Sequence, residues 1–346
     1  MPASVLPTEP GSASRYPGAV AFPRARMRRL RRSPVLREMV AETRLGVKDL
    51  VAPLFVREGI RTPQPIASLP GVAQHTLESL VKEARHLADL GVPALVLFGV
   101  PAHKDAEGSQ AWAPEGIVQL ALGALRQELG DQMVLIADLC LDEYTDHGHC
   151  GVLDARGEVD NDTTVALYGR VAQAQARAGA DIVAPSGMMD GQVAGIRASL
   201  DAGGHTEVAV LAYAAKFASA LYGPFRDAVD VTIAGGGDRR GYQQDPRNLR
   251  EALREVELDM DEGADIVMVK PALSYLDVIA AVRQAVRVPV AAYHVSGEYA
   301  MVKAAAERGW VDGTAVALEQ LGAIKRAGAD LVITYFAGEM AEVLGQ

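Results

Sequence analysis

Eight short runs of apolar residues recur along the chain from about residue 49. They are almost continuously apolar rather than alternating between apolar and polar positions, which is typical of parallel strands covered on both faces. The stretches between them repeat apolar residues every three or four positions, as amphipathic helices do. The eight predicted strands are residues 49–56, 94–100, 133–141, 181–186, 208–216, 265–271, 289–296 and 331–337.

A short repeat links the predicted helices to the strands that follow them. Four times a glycine ends a helical stretch and leads directly into an apolar run, at residues 91–99, 179–187, 263–271 and 328–336. Glycine is the usual residue just past a helix end, so the repeat predicts one domain of stacked βα units. Eight units fit a closed (β/α)8 barrel, the TIM barrel. The alternative is an open doubly wound sheet, but the Gly-rich phosphate loop typical of that fold does not follow the first strand.

Composition narrows the class of protein. The 346 residues carry a formal net charge of −10 and include only two cysteines. The acidic balance argues against general nucleic-acid binding. No apolar run reaches the roughly 18 residues of a membrane span, and the chain does not open with the apolar stretch of a secretory signal. We therefore expect a cytoplasmic protein that binds neither nucleic acid nor membrane.

The N-terminal segment differs from the rest of the chain. We separate a basic arm, residues 1–35, from a barrel domain, residues 36–346. Residues 1–18 are rich in Pro, Ser, Ala and Gly, which predicts a loose segment in an isolated monomer. Seven arginines lie within residues 15–32. Such an arm is an organelle-targeting peptide, a nucleic-acid tail or an arm that docks on an acidic partner subunit, and the acidic body favours docking.

Polar residues stand at the ends of several predicted strands. The active site of a βα barrel lies at the carboxyl ends of its strands, and Lys216 and Lys270 end the fifth and sixth runs. Adjacent strands are about 4.8 Å apart, so the two amines lie close together. A neighbouring like charge and apolar walls lower the pKa of an amine, and only a neutral amine attacks a carbonyl to form a Schiff base. The alternative is that each lysine extends its charge into solvent. Ser296 ends the seventh run, and Tyr335 lies late in the eighth.

A second candidate site lies in the stretch ADLCLDEYTDHGHCG, which carries both cysteines. Cys140 and Asp142 are two residues apart on a predicted strand and therefore face the same side, and Cys150 returns from the loop. Thiolates favour zinc, whereas a carboxylate shifts the preference toward harder ions. His147 and His149 in the same loop are ligands, acid–base groups or ordinary loop histidines. The alternative is a buried cysteine beside a solvated loop.

A long connection follows the fifth run, at residues 217–246. Loops of this length in a compact barrel are usually lids or binding loops. The glycines at 235–237 give it flexibility, and Arg226, Arg239 and Arg240 suit the capture of an anionic group such as a carboxylate. The alternative is a solvated surface loop.

Together these stretches resemble the 5-aminolevulinate dehydratase family, also called the porphobilinogen synthase family. The resemblance extends from about Arg26 to Gly345. The motifs that carry it include APLFV, ADLCLDEYTDHGHCG, APSGMMDG, KFASALYGPFRDA, GDRRGYQ, MVKPALSYLD, YHVSGEY and ITYFA. Members of this family condense two molecules of 5-aminolevulinate into porphobilinogen with release of two waters, in the biosynthesis of haem and other tetrapyrroles.

The resemblance implies roles for the matching residues. Lys216 and Lys270 match two Schiff-base lysines, with Lys270 holding the substrate that becomes the propionate side of the product. Lys216 would hold or activate the second substrate. The residues implied to bind the two substrate carboxylates are Arg226 with Arg240 and Ser296 with Tyr335.

The metal loop departs from the pattern of the zinc-dependent members, which have three cysteines. Here Asp142 stands between two cysteines, and a mixed zinc site, a weak site and no catalytic zinc all remain open. The resemblance also implies an activating magnesium at Glu255, near a subunit interface. It further implies a homo-octamer in which the N-terminal arm wraps a neighbouring barrel.

Two other functions fit parts of the pattern. A class I aldolase also places a Schiff-base lysine on a barrel strand, but it needs one such lysine and leaves the cysteine loop unexplained. A catalytically inactive barrel kept as an assembly subunit would not need to retain both lysines with Ser296 and Tyr335. We therefore predict a hydro-lyase.

Overall fold

The computed structural model describes residues 22–234 and 237–345. The predictions for residues 1–18, and for the glycines at 235 and 236, lie outside the described residues. The described chain divides into two units, with the boundary between Arg44 and Leu45.

The first unit carries the end of the basic arm. It contains a 3₁₀ helix, Met27–Arg31, and the helix α1, Pro34–Met39, and neither has a buried residue. Ser33 caps α1, because its Oγ accepts a hydrogen bond from the Leu36 N–H at 3.3 Å. The unit therefore continues nine residues beyond the arm boundary drawn at residue 35.

The second unit is a closed barrel. Eight parallel strands pair in chain order, and the last pairs with the first, with Leu50 opposite Val332. Two short strands, β2 and β3, lie beside β1. The ten strands of the described residues are β1 Leu50–Arg57, β2 Gln64–Pro65, β3 Ala73–His75, β4 Ala94–Val100, β5 Val134–Leu139, β6 Ile182–Pro185, β7 Ala209–Lys216, β8 Ile266–Lys270, β9 Val290–His294 and β10 Leu331–Thr334. The predicted (β/α)8 barrel is confirmed.

Helices connect the strands and cover the outside of the barrel. The apolar stripe of each packs inward; in α2, for example, Leu80, Ala84 and Leu87 are buried. None of the described helices is both long and apolar enough to cross a membrane. The barrel helices are α2 Leu77–Asp89, α3 Ile117–Leu129, α4 Asn161–Ala178, α5 Gln192–Ala202, α6 Gly223–Ala228, α7 Leu249–Asp261, α8 Leu276–Ala285, α9 Ser296–Glu307, α10 Gly313–Ala327 and α11 Ala337–Leu344.

Three of the four glycine repeats begin Gly-Ala-Asp, at residues 179–181, 263–265 and 328–330, and this sequence has a structural role at the start of the strands. Its glycines adopt the left-handed backbone that ends a helix, as Gly179 does with φ of 106°. The aspartates that follow cap the beginning of the neighbouring strand, because each carboxylate accepts a backbone N–H there. The bonds run from the N–H of Leu135 to Asp181, of Val210 to Asp265 and of Val290 to Asp330, at 2.8–2.9 Å.

Several strands are shorter than the apolar runs that predicted them. β5 ends at Leu139, so Cys140 lies just beyond the strand. β9 ends at His294, and Ser296 is the first residue of α9. The reason there is local: the Glu298 carboxylate accepts the Val295 N–H at 2.7 Å and begins the helix. Tyr335 likewise follows the end of β10.

Candidate active site

Two lysines stand side by side at one rim of the barrel. Lys216 ends β7, Lys270 ends β8, and their Cα atoms are direct partners in the strand register. Each is only 5% exposed. The Lys216 Nζ donates a hydrogen bond to the carbonyl oxygen of Ser186. The strand ends therefore hold two amines at matching height inside the protein.

Aromatic rings enclose the Lys270 amine. The distances from its Nζ to the ring centres are 4.5 Å for Tyr293, 5.0 Å for Tyr213, 5.2 Å for Tyr222 and 5.2 Å for Phe225. Burial among these rings, and then the charge of Lys216, lower the pKa of Lys270 to about 7. A large share of this amine is therefore neutral near neutral pH.

An extra residue in β7 places Tyr213 beside the lysines. The strand advances from Ala212 to Ala215 while β8 advances only two residues, which is a β-bulge. Regular alternation would put Tyr213 and Lys216, three residues apart, on opposite faces. The bulge turns both toward the barrel interior. Gln244 supports it, because its Nε2 donates to the carbonyl of Ala214 at 3.2 Å.

A carboxylate that sequence reasoning missed also faces the lysines. Asp138 on β5 is 6% exposed, and its Oδ2 accepts a hydrogen bond from the Ser186 hydroxyl at 3.2 Å. Burial raises its pKa to about 6, although both lysines oppose the shift. The available signal was position, since Asp138 lies two residues before Cys140 in an otherwise apolar run.

The lysines, Asp138, Arg226 and Arg239 line one small cavity of about 20 Å³. Four buried polar atoms around it have no hydrogen-bond partner within the described chain: the Asp138 Oδ1, the Glu143 Oε2, the Tyr213 hydroxyl and the Arg239 Nε. Unsatisfied buried groups of this kind are rare in proteins. A polar ligand in the cavity would satisfy them.

The predicted pair of carboxylate-binding arginines is not brought together here. Arg226, on α6, lines the cavity, whereas the Arg240 side chain is 82% exposed and lies 3.5 Å from Asp238. Its neighbour Arg239 lines the cavity instead and is 8% exposed. The loop's composition pointed to Arg239 as well as Arg240, whereas the family resemblance was applied to Arg240. The sequence does not distinguish two adjacent arginines in a loop.

Ser296 and Tyr335 each form a hydrogen bond to a residue whose ring surrounds the Lys270 amine. The Ser296 Oγ accepts a hydrogen bond from the Phe225 N–H at 3.1 Å. The Tyr335 hydroxyl is hydrogen-bonded to that of Tyr293 at 3.2 Å. Both residues therefore help to hold the aromatic walls of the lysine site.

Cys140, Asp142 and Cys150 come together after β5. One ligand atom from each lies within 4.8 Å of the others, and all three side chains are buried. Two sulfurs and one oxygen at this separation fit a tetrahedral zinc site with a fourth position for substrate or water. Burial raises the pKa of the Cys140 thiol, so a metal bound here would have to displace its proton.

An ion pair holds Asp142. The Arg239 Nη2 lies 2.8 Å from the Asp142 Oδ2. Burial alone would raise the pKa of Asp142, but the Arg239 and Lys216 charges hold it below its usual range. Asp142 is therefore ionised, and it lines the lysine cavity as well as belonging to the Cys/Asp/Cys group.

The loop histidines lie apart from this group. The His147 Nε2 is 3.3 Å from the Ala106 carbonyl oxygen, and the His149 Nδ1 is 3.2 Å from the Tyr242 hydroxyl. Neither belongs to the cluster of possible ligands found among the described residues. Both act here as hydrogen-bonding groups of the loop.

Glu255 lies outside the lysine cavity. It is on α7 and lines a separate cavity of about 630 Å³, together with Asp190, Arg240 and Glu251. Burial, and then the charges of Asp190 and Glu251, raise the pKa of Glu255. The group is a concentration of carboxylates on the outer side of the barrel rim.

Comparisons with known proteins agree with this geometry. Residues 24–343 match the family model described as delta-aminolevulinic acid dehydratase. The chain is 58% identical to the delta-aminolevulinic acid dehydratase of Mycobacterium tuberculosis, over 93% of this chain and 98% of that protein. It is 56% identical to that of Streptomyces coelicolor, over 94% of this chain and 98% of that protein.

A solved structure is similar throughout. The delta-aminolevulinic acid dehydratase (porphobilinogen synthase) of Toxoplasma gondii ME49, in complex with the reaction product porphobilinogen, superposes with a TM-score of 0.90. It is 45% identical, and the match covers 92% of this chain and 91% of that one. Fold and sequence together define a (β/α)8-barrel hydro-lyase.

The chain belongs to the delta-aminolevulinic acid dehydratase family. It condenses two molecules of 5-aminolevulinate into porphobilinogen with loss of two waters. This activity decides against the aldolase and the inactive assembly subunit.

Proposed function

We propose that Lys216 and Lys270 each hold one molecule of 5-aminolevulinate as a Schiff base. The observation that carries the proposal is their direct pairing at the ends of β7 and β8, buried in one cavity. Each amine nitrogen adds to a substrate ketone carbon, and the ketone oxygen leaves as water. Two such steps account for the two waters of the reaction. Formation of the carbon–carbon and carbon–nitrogen bonds of the product then releases both amines.

The pairing supplies proximity and order. Two identical substrates fixed on adjacent strands react as parts of one molecule rather than by collision. Lys270, whose pKa is lowered to about 7, is the principal nucleophile and holds the substrate that becomes the propionate side. Lys216 holds the second substrate. The free oxygen of Asp138 and the Tyr213 hydroxyl are placed to bond the substrates' polar hydrogens and oxygens.

Substrate entry requires the cavity to open. About 20 Å³ is room for roughly one water molecule, so neither substrate fits among the side chains as they stand. Phe225 and Arg239, which close the cavity, belong to α6 and the connection to α7. We propose that α6, with the Phe225 ring, moves outward to admit substrate and returns to exclude water, while Arg239 stays paired with Asp142.

The substrate carboxylates are proposed to bind at two places. One binds Arg226, which lines the cavity, and Arg240, whose exposed side chain would have to turn toward the substrate. The other binds Ser296 and Tyr335, whose hydroxyls lie behind the Lys270 rings. Both pairs are the ones that the resemblance of the sequence motifs implies.

The proposed ligands of a catalytic metal are Cys140, Asp142 and Cys150. Two sulfur donors favour zinc over magnesium at this position. A zinc ion bound here would polarise a substrate oxygen as a Lewis acid. Magnesium is proposed at Glu255, where several carboxylates supply the oxygen ligands that it prefers.

A homo-octamer with docking arms is the proposed assembly. The described part of the arm exposes large apolar side chains, with Phe22 75%, Met27 73% and Val35 78% exposed. Exposed groups of this size mark interaction surfaces when they cluster. The proposed compartment is the cytoplasm, since both cysteines are free.

Borohydride trapping tests the Schiff bases. The protein is incubated with 5-aminolevulinate, reduced with borohydride, digested and mapped by mass spectrometry. We expect the reduced substrate adduct on Lys270 and a second adduct on Lys216. Lys270→Met should abolish the first adduct and turnover, whereas Lys82→Met, at an exposed lysine on α2, is the matched control. Turnover without an adduct on either residue would exclude the mechanism.

A further inference from the structure

Arg239 connects the lysine cavity to the Cys/Asp/Cys group. We infer that Arg239 is a positioning residue of the metal site, which fixes the Asp142 carboxylate as a ligand and supplies the charge that keeps the loaded site neutral. The inference rests on the metal site proposed above.

Arg239 contacts both chain segments that carry the proposed metal ligands. Its Nη2 bonds the Asp142 Oδ2 at 2.8 Å and also the carbonyl oxygen of Gly148 at 2.8 Å. Asp142 follows β5, and Gly148 stands two residues before Cys150 in the returning loop. A guanidinium is planar with donors in fixed directions, so it sets the orientation of the carboxylate relative to both cysteines.

The burial of this ion pair limits what it can do. The Arg239 and Asp142 side chains are 8% and 5% exposed. Separating such a pair leaves an uncompensated charge in the protein interior, which is strongly unfavourable. Asp142 also has a second carboxylate oxygen besides the one paired with Arg239. The carboxylate therefore has a way to bind a metal without losing Arg239.

Formal charge favours retention of the arginine. Two thiolates and one carboxylate carry three negative charges, and a divalent ion offsets two of them. The remaining negative charge is buried, where an unpaired charge is unfavourable. Within the described chain, Arg239 is the residue that forms an ion pair with Asp142. Its positive charge offsets this remaining negative charge by direct contact, and the Lys216 charge acts on Asp142 as well.

The same connection makes a second contact with the loop. The Tyr242 hydroxyl accepts a hydrogen bond from the Cys150 N–H at 3.4 Å and lies 3.2 Å from the His149 Nδ1. Arg239 and Tyr242 thus attach the α6–α7 connection to the loop that carries the proposed ligands. Metal affinity consequently depends on residues of a segment that also closes the substrate cavity.

Metal binding by the reduced protein tests the inference without any turnover assay. Zn²⁺ affinity is measured by competition with a chromophoric chelator, and Co²⁺ replaces Zn²⁺ to report thiolate coordination by its charge-transfer absorption. Loss of a group that orients a ligand typically weakens metal binding 10- to 100-fold. We expect this loss for Arg239→Gln and a smaller one for Arg239→Lys, which keeps the charge but not the fork. Arg247→Gln, an 84% exposed arginine in the same connection, should bind as the parent does.

A double-mutant cycle tests whether Arg239 acts on metal binding through Asp142. If Arg239 acts through Asp142, Arg239→Gln should weaken binding little further once Asp142→Asn is present. If the parent shows thiolate coordination and Arg239→Gln binds Zn²⁺ equally or more tightly, the inference about Arg239 is wrong but the proposed metal site is supported. No thiolate-bound metal in the parent would overturn both. If Arg239→Gln does not fold, Arg239→Lys decides, and unchanged affinity there would contradict the role.

Discussion

The charge on Lys216 should control the reactivity of Lys270, and Lys216→Met isolates that effect. Methionine has a similar length and no charge, so the aromatic walls of the site are kept. Burial lowers the pKa of Lys270 first and the Lys216 charge lowers it second. Removal of that charge should therefore raise the pKa of Lys270, while burial continues to hold it below that of an exposed lysine.

The structure bounds the size of this change. The two nitrogens lie 5.6 Å and 5.0 Å from the centre of the Tyr213 ring, so they are separated by no more than about 11 Å. We take the strand spacing of about 4.8 Å as the short end of the range. At an effective dielectric constant of about 20, their repulsion is then about 1.5–3.5 kcal/mol. This corresponds to about 1–2.5 pKa units.

The expected pKa of Lys270 in Lys216→Met is therefore about 8–9.5. At pH 7 the neutral fraction of the amine would fall from about one half, and adduct formation on Lys270 would slow by about 5- to 150-fold. The assay follows the initial rate of borohydride-trapped adduct on Lys270 against pH, at a fixed low concentration of 5-aminolevulinate. Lys82→Met serves as the control. A midpoint that stays at about pH 7, or moves lower, would refute the electrostatic coupling.

Three further predictions concern the barrel. Tyr213→Phe should lower kcat/KM yet raise the free energy of unfolding by about 1 kcal/mol, since it removes a buried hydroxyl that has no partner in the described chain. Steady-state kinetics and urea unfolding measure the two effects, and a variant less stable than the parent would count against this account. Burial lowers the pKa of His294 to about 4, so the unfolded chain binds a proton between about pH 6.5 and 4 that the folded chain does not. Acidification through that window should remove about 3 kcal/mol of stability. In His294→Gln, the free energy of unfolding from denaturant titrations should depend less on pH. Gly297→Ala places a Cβ 2.5 Å from the Leu221 carbonyl oxygen and should destabilise the protein by at least about 1 kcal/mol. Gly123→Ala, in open space within α3, should stabilise it by about 0.5–1 kcal/mol. Equal melting temperatures of the two variants would disprove the steric argument.

The barrel strands and the position of the lysines could be predicted from the order of apolar and polar residues along the chain. Apolar runs mark the barrel strands because every parallel strand is covered on both faces. The lysines could be placed together because each one ends a run, and parallel strands end at the same rim. These arguments need only strand order and direction.

The features that were missed depend on backbone detail. Tyr213 lies three residues before Lys216, and simple alternation assigns the two to opposite faces until the bulge is known. Arg239 and Arg240 are chemically identical neighbours, and only the course of the loop buries one and exposes the other. Asp138 was within reach, since it shares a face of its strand with Cys140.

The bulge in β7 also affects how the chain tolerates insertions and deletions. Two residues, Tyr213 and Ala214, stand opposite one residue of β8, because Ala212 and Ala215 pair with Val267 and Val269. Loss of Ala214 alone would restore regular alternation and leave both Tyr213 and Lys216 pointing inward. A relative with an unbulged strand would therefore keep the same pair of side chains, with the tyrosine two residues before the lysine instead of three. Single-residue gaps between related chains are expected at this point of the strand, without any change in the chemistry that follows it.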